Sequence, residues 1–202
     1  MFDRGGLKIA VVGLTTDDTS KMVDPVNIAG VEFRKPAREA AALMPELKSQ
    51  AHIVIAATHM GHYTNGARGV NAEGDVEMAR EVKGFDLIVG GHSQNPVCMG
   101  AENLRNDTYQ PGGVCKPDQQ NGAWIVQAHE WGKYVGRADF EYAAGQLKMV
   151  SYTLIPINLK KTVKATDGKD TKIFATQEIK EDPATLAFLK PYQDKGRAAL
   201  DV

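Results

Sequence analysis

A chain of 202 residues with 43% apolar and 24% charged side chains has enough material for one good core, or for one domain plus an extension. Its net charge of −1 provides no overall field to draw in a nucleic acid polymer or an anionic membrane. No apolar run approaches the roughly 20 residues of a spanning helix.

Met1 to Gly6 forms a turn that leads straight into an apolar strand instead of a signal peptide. This start reads as the middle of a larger protein. Leu7 to Leu14 is a buried-type strand, followed by the polar loop Thr15 to Thr19, in which Asp17 and Asp18 suit turns and caps better than metal ligation. Residues 20–34 read as irregular. Pro36 opens a helix whose apolar face is Ala40, Ala41, Leu43, Met44 and Leu47, with a kink or early end expected at Pro45.

His52 to His59 is a second buried-type strand with a histidine at its carboxyl end. Together with the first strand and the helix it predicts a right-handed β-α-β unit with parallel pairing. The glycine-rich loop from Met60 to Gly74, carrying His62, Tyr63, Asn65, Gly66, Arg68 and Gly69, sits where functional loops sit. A short helix from Asp75 to Val82 leads to the third strand, Phe85 to Val89. There Gly90-Gly91 is read as a tight turn that presents His92 and Gln94. The class is α/β.

Residues 96–122 form a long excursion holding both cysteines, Cys98 and Cys115. Two free thiols or one bridge both fit; the bridge is favoured, would contribute about 3 kcal/mol over this separation, and would imply an oxidising compartment. The segments 123–128, 134–142 and 147–157 are expected to follow as an antiparallel meander, with Ala144-Gly145 turning between the last two. The lysine-rich stretch after Leu159 is expected to be a solvated loop, and Asp182-Pro183 to cap a helix ending at Gly196.

In open α/β sheets ligands gather beyond the carboxyl ends of the strands. His59 and His92 occupy two such ends, and Gln94 lies close by. Neutral imidazoles and an amide oxygen suit Zn²⁺, Mn²⁺ or similar ions. A hydrolytic centre also needs carboxylates, which this chain does not place at equivalent strand ends, so the pattern is half of a site. His62, three residues beyond His59, is expected to face substrate or to support a ligand. The cluster from Ala128 to Tyr134 is read as a substrate loop or as packing at a strand junction. Packing is favoured for Trp131 and Tyr134, while His129 is left open between the two. Gly5-Gly6 and Gly90-Gly91 lack the pattern of a dinucleotide or P-loop site.

Ala57 to Tyr63, Gly90 to Gln94 and Asn121 to Arg137 together resemble the bacterial periplasmic 5′-nucleotidase/UDP-sugar hydrolase family of calcineurin-like metallophosphoesterases. The resemblance implies part of a four-layer α/β/β/α catalytic domain, parallel β-α-β units preceding the antiparallel strands. It implies His59 and His92 as ligands of one metal and Gln94 as a ligand of the other, with two divalent ions (Zn, Mn or Co) in the parent protein. It also implies a Cys98–Cys115 disulfide, a periplasmic location, and nucleotides or nucleotide sugars as substrates.

The family's Asp-x-His pair, bridging Asp and Asn-His-Glu segment do not occur in this sequence. The resemblance therefore makes residues 1–159 the second half of a catalytic domain, and 160–202 a linker and connecting helix toward a further substrate-binding domain. Such a piece carries no catalytic residue of its own, is expected to be inactive or weakly active, and exposes a sheet surface prone to self-association. The alternative is a non-catalytic metal- or anion-binding module.

Overall fold

The computed structural model describes residues 1–63, 73–101 and 103–200. The chain divides into two compact units, Met1–Pro156 and the segment from Ile157 onward.

The first unit opens with β1 (Phe2–Arg4) and β2 (Leu7–Thr15), paired antiparallel. Their two-residue turn puts Gly5 and Gly6 at φ 59° and 81°, left-handed conformations that glycine adopts without a Cβ penalty. A single helical turn, α1 (Thr19–Met22), and a 3₁₀ turn, Pro25–Ile28, break up the stretch expected to be irregular. The helix α2 (Pro36–Gln50) begins at its proline but runs through Pro45 to Gln50. Pro45 lies on the exposed side, where a locally opened backbone is hydrated, so the expected early end does not occur. Its buried stripe is Pro36, Ala37, Ala40 and Met44.

Then come β3 (Ile53–His59), α3 (Asp75–Glu81), β4 (Leu87–Val89), the small hairpin β5 (Met99–Ala101) and β6 (Leu104–Arg105), β7 (Asp118–Gln120) and β8 (Ala123–Val126). The main sheet has six strands in the order β1-β2-β3-β4-β8-β7. Its four central strands are parallel, and β1 and β7 are antiparallel edges.

The position of β8 corrects the expected meander. It runs beside β4, from Leu87↔Trp124 to Val89↔Val126. Residues 90–122 provide the long crossover that parallel pairing requires, and the buried run Ile125-Val126 suits a strand packed on both sides. Only β9 (Tyr134–Ala143) and β10 (Gln146–Pro156) form the antiparallel hairpin, with Ala144 and Gly145 left-handed in its turn.

Helices α2 and α3 cover one face of the sheet. Ala10, Val54, Ala56, Ile88 and Ile125 from the strands pack with Ala37, Ala40 and Met44 from α2 and with Val76, Met78 and Ala79 from α3. The other face leaves Val11, Ala57 and Val89 exposed. The α/β class and one helix-on-sheet half of the four-layer arrangement are thus present.

Cys98 and Cys115 form a disulfide and are both buried, which excludes the free-thiol alternative. The bridge closes the excursion beside β7, with Met99 N donating to Lys116 O at 2.8 Å and Asn106 N to Cys98 O at 2.7 Å. Reducing it, or replacing both cysteines with serine, is expected to lower stability by about 3 kcal/mol through loop entropy in the unfolded chain. Urea denaturation with and without reductant measures that loss.

In the second unit the expected loop is a hairpin, β11 (Lys160–Lys164) and β12 (Asp170–Phe174). The Asp167-Gly168 turn, with Gly168 at φ 80°, directs it, and the Asp167 side chain accepts from Lys169 N. Turn chemistry prevails here over a lysine-rich composition. Helix α4 (Pro183–Leu200) is capped by Asp182, whose carboxylate accepts from Thr185 N at 2.7 Å. It continues through Gly196, which lacks the left-handed φ of a terminating glycine and costs a helix interior only about 1 kcal/mol. Among the described residues no helix is long and apolar enough to cross a membrane.

Candidate metal centre

Parallel pairing of β2, β3, β4 and β8 brings their carboxyl ends to one edge. His59 is the last residue of β3, opposite Thr15 of β2, and its carbonyl accepts from Thr16 N at 3.1 Å. His92 follows β4 by three residues. The two imidazoles meet edge to face, with ring centroids 5.0 Å apart and planes at 68°.

His92 at φ 72° and Gln94 at φ 56° are both left-handed. Non-glycine residues held this way cost energy and cluster at functional sites. Gly61 N and Ser93 N both donate to Gly91 O, at 3.1 and 2.9 Å, locking the two histidine-bearing segments together. Gln94 is exposed at the rim of this turn.

Burial lowers the His92 pKa, and the neighbouring His59 lowers it further, against an opposing pull from Asp18. The ring is therefore neutral at physiological pH, the form that ligates metals. Asp18 is buried, ion-paired to Lys21 through Oδ1 at 2.6 Å, with Oδ2 unpartnered. The donor set suits a divalent ion chemically, but it is incomplete. Among the described residues no group of three His, Cys, Asp or Glu side chains is placed to hold one.

The tight-turn reading of Gly90-Gly91 is corrected, because neither glycine has a positive φ. Space is what requires them. A Cβ on Gly90 would lie 2.3 Å from Asp75 Oδ2, and one on Gly91 would lie 3.2 Å from His59 Nδ1.

His62 is closed off from solvent. It is fully buried, with Nε2 2.8 Å from Asp118 Oδ2 on β7. Burial pushes the Asp118 carboxyl up, but hydrogen bonds from His62, Gln120 and the Gln119 amide outweigh it and hold it below the usual range. The pair fastens the loop after β3 to the edge strand, and Ser93 accepts from His62 N at 3.3 Å.

His129 lies beyond β8 at the same sheet edge. It accepts from Glu130 N at 2.8 Å through Nδ1 and stacks on Tyr134. The packing reading holds for buried Tyr134 but not for Trp131, which is 85% exposed. Asn65, Gly66, Arg68 and Gly69 lie outside the described residues.

Asp75 is the residue that sequence reasoning passed over. It is completely buried, accepts from Thr58 Oγ1 at 2.6 Å through Oδ1, and has Oδ2 unpartnered. Its place at the start of a short helix gave no sign of this.

The fold is shared with solved structures. The calcineurin-like phosphoesterase YfkN from Bacillus subtilis superposes with a TM-score of 0.61 at 20% identity, over 94% of this chain and 52% of that one. The Thermus thermophilus sulfate thiohydrolase SoxB superposes with 0.56 at 20% identity, over 73% and 22%. In sequence the whole chain aligns with protein UshA of Escherichia coli K12 at 58% identity, with protein UshA of Yersinia enterocolitica at 57%, and with a 5′-nucleotidase of Vibrio vulnificus at 56%. It spans 38% of the length of each UshA protein and 37% of the Vibrio protein. No family model matches. Over its whole length the chain is thus similar to one part of UshA and 5′-nucleotidase proteins.

Proposed function

We propose that this chain supplies part of the metal-binding edge of a two-metal 5′-nucleotidase that also cleaves UDP-sugars. The observation that carries the reading is the imidazole pair of His59 and His92, with ring centroids 5.0 Å apart at the sheet edge. In this reading His59 and His92 bind one divalent ion (Zn, Mn or Co) and the Gln94 carboxamide binds a second. Bound ions of this kind polarise a phosphate and lower the pKa of a water. The chain's own contribution is to hold two imidazole rings at a fixed spacing on the sheet edge.

Residues 1–159 act as the second half of the catalytic domain, and 160–202 as the linker and connecting helix toward a substrate-binding domain. The division of the chain into two compact units between Pro156 and Ile157 supports this boundary. The buried disulfide supports a periplasmic setting. With no group of three ligands among the described residues, the chain alone is expected to turn over little or no AMP or UDP-glucose.

Titration with Co²⁺, followed by its ligand-field absorption, tests the reading. Wild type is expected to bind, and His92→Ala to bind at least about tenfold more weakly. Equal affinity in the two would overturn the assignment. Rapid Co²⁺-dependent hydrolysis of AMP by the isolated chain would overturn the half-site.

A further inference from the structure

Asp75 contacts the segments on both sides of the imidazole pair. Thr58, the residue before His59, donates its hydroxyl to Asp75 Oδ1 at 2.6 Å. Gly61, two residues after His59, accepts from Asp75 N at 2.8 Å, and Gly61 N in turn bonds Gly91 O at 3.1 Å. Gly90, two residues before His92, lies so close to Asp75 Oδ2 that no Cβ fits between them. The Thr58 hydroxyl also approaches Val89 O at 3.5 Å. Burying a carboxyl group with an unpartnered oxygen costs free energy, and a hydrophobic side chain would fill the space without that cost. What a hydrophobic side chain could not do is bond the end of β3 while bearing on the end of β4.

We propose that Asp75 is a positioning residue: its buried carboxyl group fastens the end of β3 to the end of β4 and thereby sets the spacing of His59 and His92. Its consequence for metal affinity rests on the function proposed above; the positioning itself does not.

The test is read in the metal-free chain, from NMR cross-peaks between the ring protons of His59 and His92. The variants are Asp75→Ala, Thr58→Val (which removes only the hydroxyl link), Asp75→Asn (which keeps an oxygen for Thr58) and Leu154→Ala. Leu154 is a fully buried β10 residue, and its truncation controls for lost stability alone. The cross-peaks are expected to weaken at least threefold in Asp75→Ala and Thr58→Val and to persist in Asp75→Asn and Leu154→Ala. If Asp75→Ala does not fold, Thr58→Val carries the test.

Unchanged cross-peaks in the first pair, equal loss in Leu154→Ala, or their absence in wild type overturns the proposal. Co²⁺ titration of the same samples separates the two readings. A parallel tenfold weakening supports both. The expected NMR pattern in a chain that binds no Co²⁺ sustains positioning and removes the metal assignment.

Discussion

Replacing Gly90 with alanine is expected to lower stability by about 3–4 kcal/mol, combining overpacking of a full core with a broken buried hydrogen bond. The added methyl would sit 2.3 Å from Asp75 Oδ2 and 3.4 Å from Gln127 Oε1. Neither oxygen is the free end of a mobile side chain. Asp75 is held by Thr58, and Gln127 by Ser93 at 3.1–3.2 Å. The backbone must move, or the Thr58 bond must break. Gly91→Ala provides the contrast, since its methyl meets His59 Nδ1 at 3.2 Å and a half-free imidazole can shift by a few tenths of an ångström. That variant is expected to remain within about 1 kcal/mol of wild type while displacing His59. Urea midpoints of the two variants check the ranking. A Gly90→Ala chain as stable as Gly91→Ala would show that the carboxyl group is not packed as described.

Stability should also fall as pH rises from about 4 to about 7, and Asp75→Asn should remove that fall. Burial raises the Asp75 pKa from 3.8 to about 7, against the lowering effect of the Thr58 hydrogen bond. Across this window the folded chain keeps a proton that the unfolded chain has released. The folded state therefore binds more protons, and unfolding becomes easier with increasing pH. A shift of about three units corresponds to about 4 kcal/mol by linkage, fully present as stability below pH 4 and lost once pH passes 7. Asn carries no such proton, so the stability difference between Asp75→Asn and wild type should grow in favour of the variant between pH 4 and 8. Denaturant titrations of the two chains at several pH values measure it. A pH-independent difference would mean that Asp75 ionises at its ordinary value.

The strands that build the site edge were legible because buried parallel strands write themselves as short apolar runs, as in Ile53 to Thr58 and Phe85 to Val89. The partner of β8 was not, since a run such as Ala123 to Val126 carries no information on which neighbour it joins. Pairing follows from how the chain crosses over, which is a long-range property. The β11–β12 hairpin was hidden by exposed lysines on both strands, which made the whole stretch, its Asp167-Gly168 turn included, read as a solvated loop. At the site, His59, His92 and Gln94 were readable from their place after strands, and the structure brings the two imidazoles together. The partners of His62 and Asp75 were not readable. Asp118 is 56 residues from His62, and no local pattern announces a buried carboxyl against Gly90.

The insertion of β8 between β4 and β7 also bears on the order in which the chain can assemble as it leaves the ribosome. Three of the central strands have been synthesised by Val89, but the flank of β4 has no partner until residues 123–126 emerge. During that interval the strand Leu87–Val89 offers unpaired amides and carbonyls to any passing strand. A chain stopped short of β8 would keep that edge open permanently, so the sheet gains its protection against edge-to-edge pairing only after its long excursion is complete.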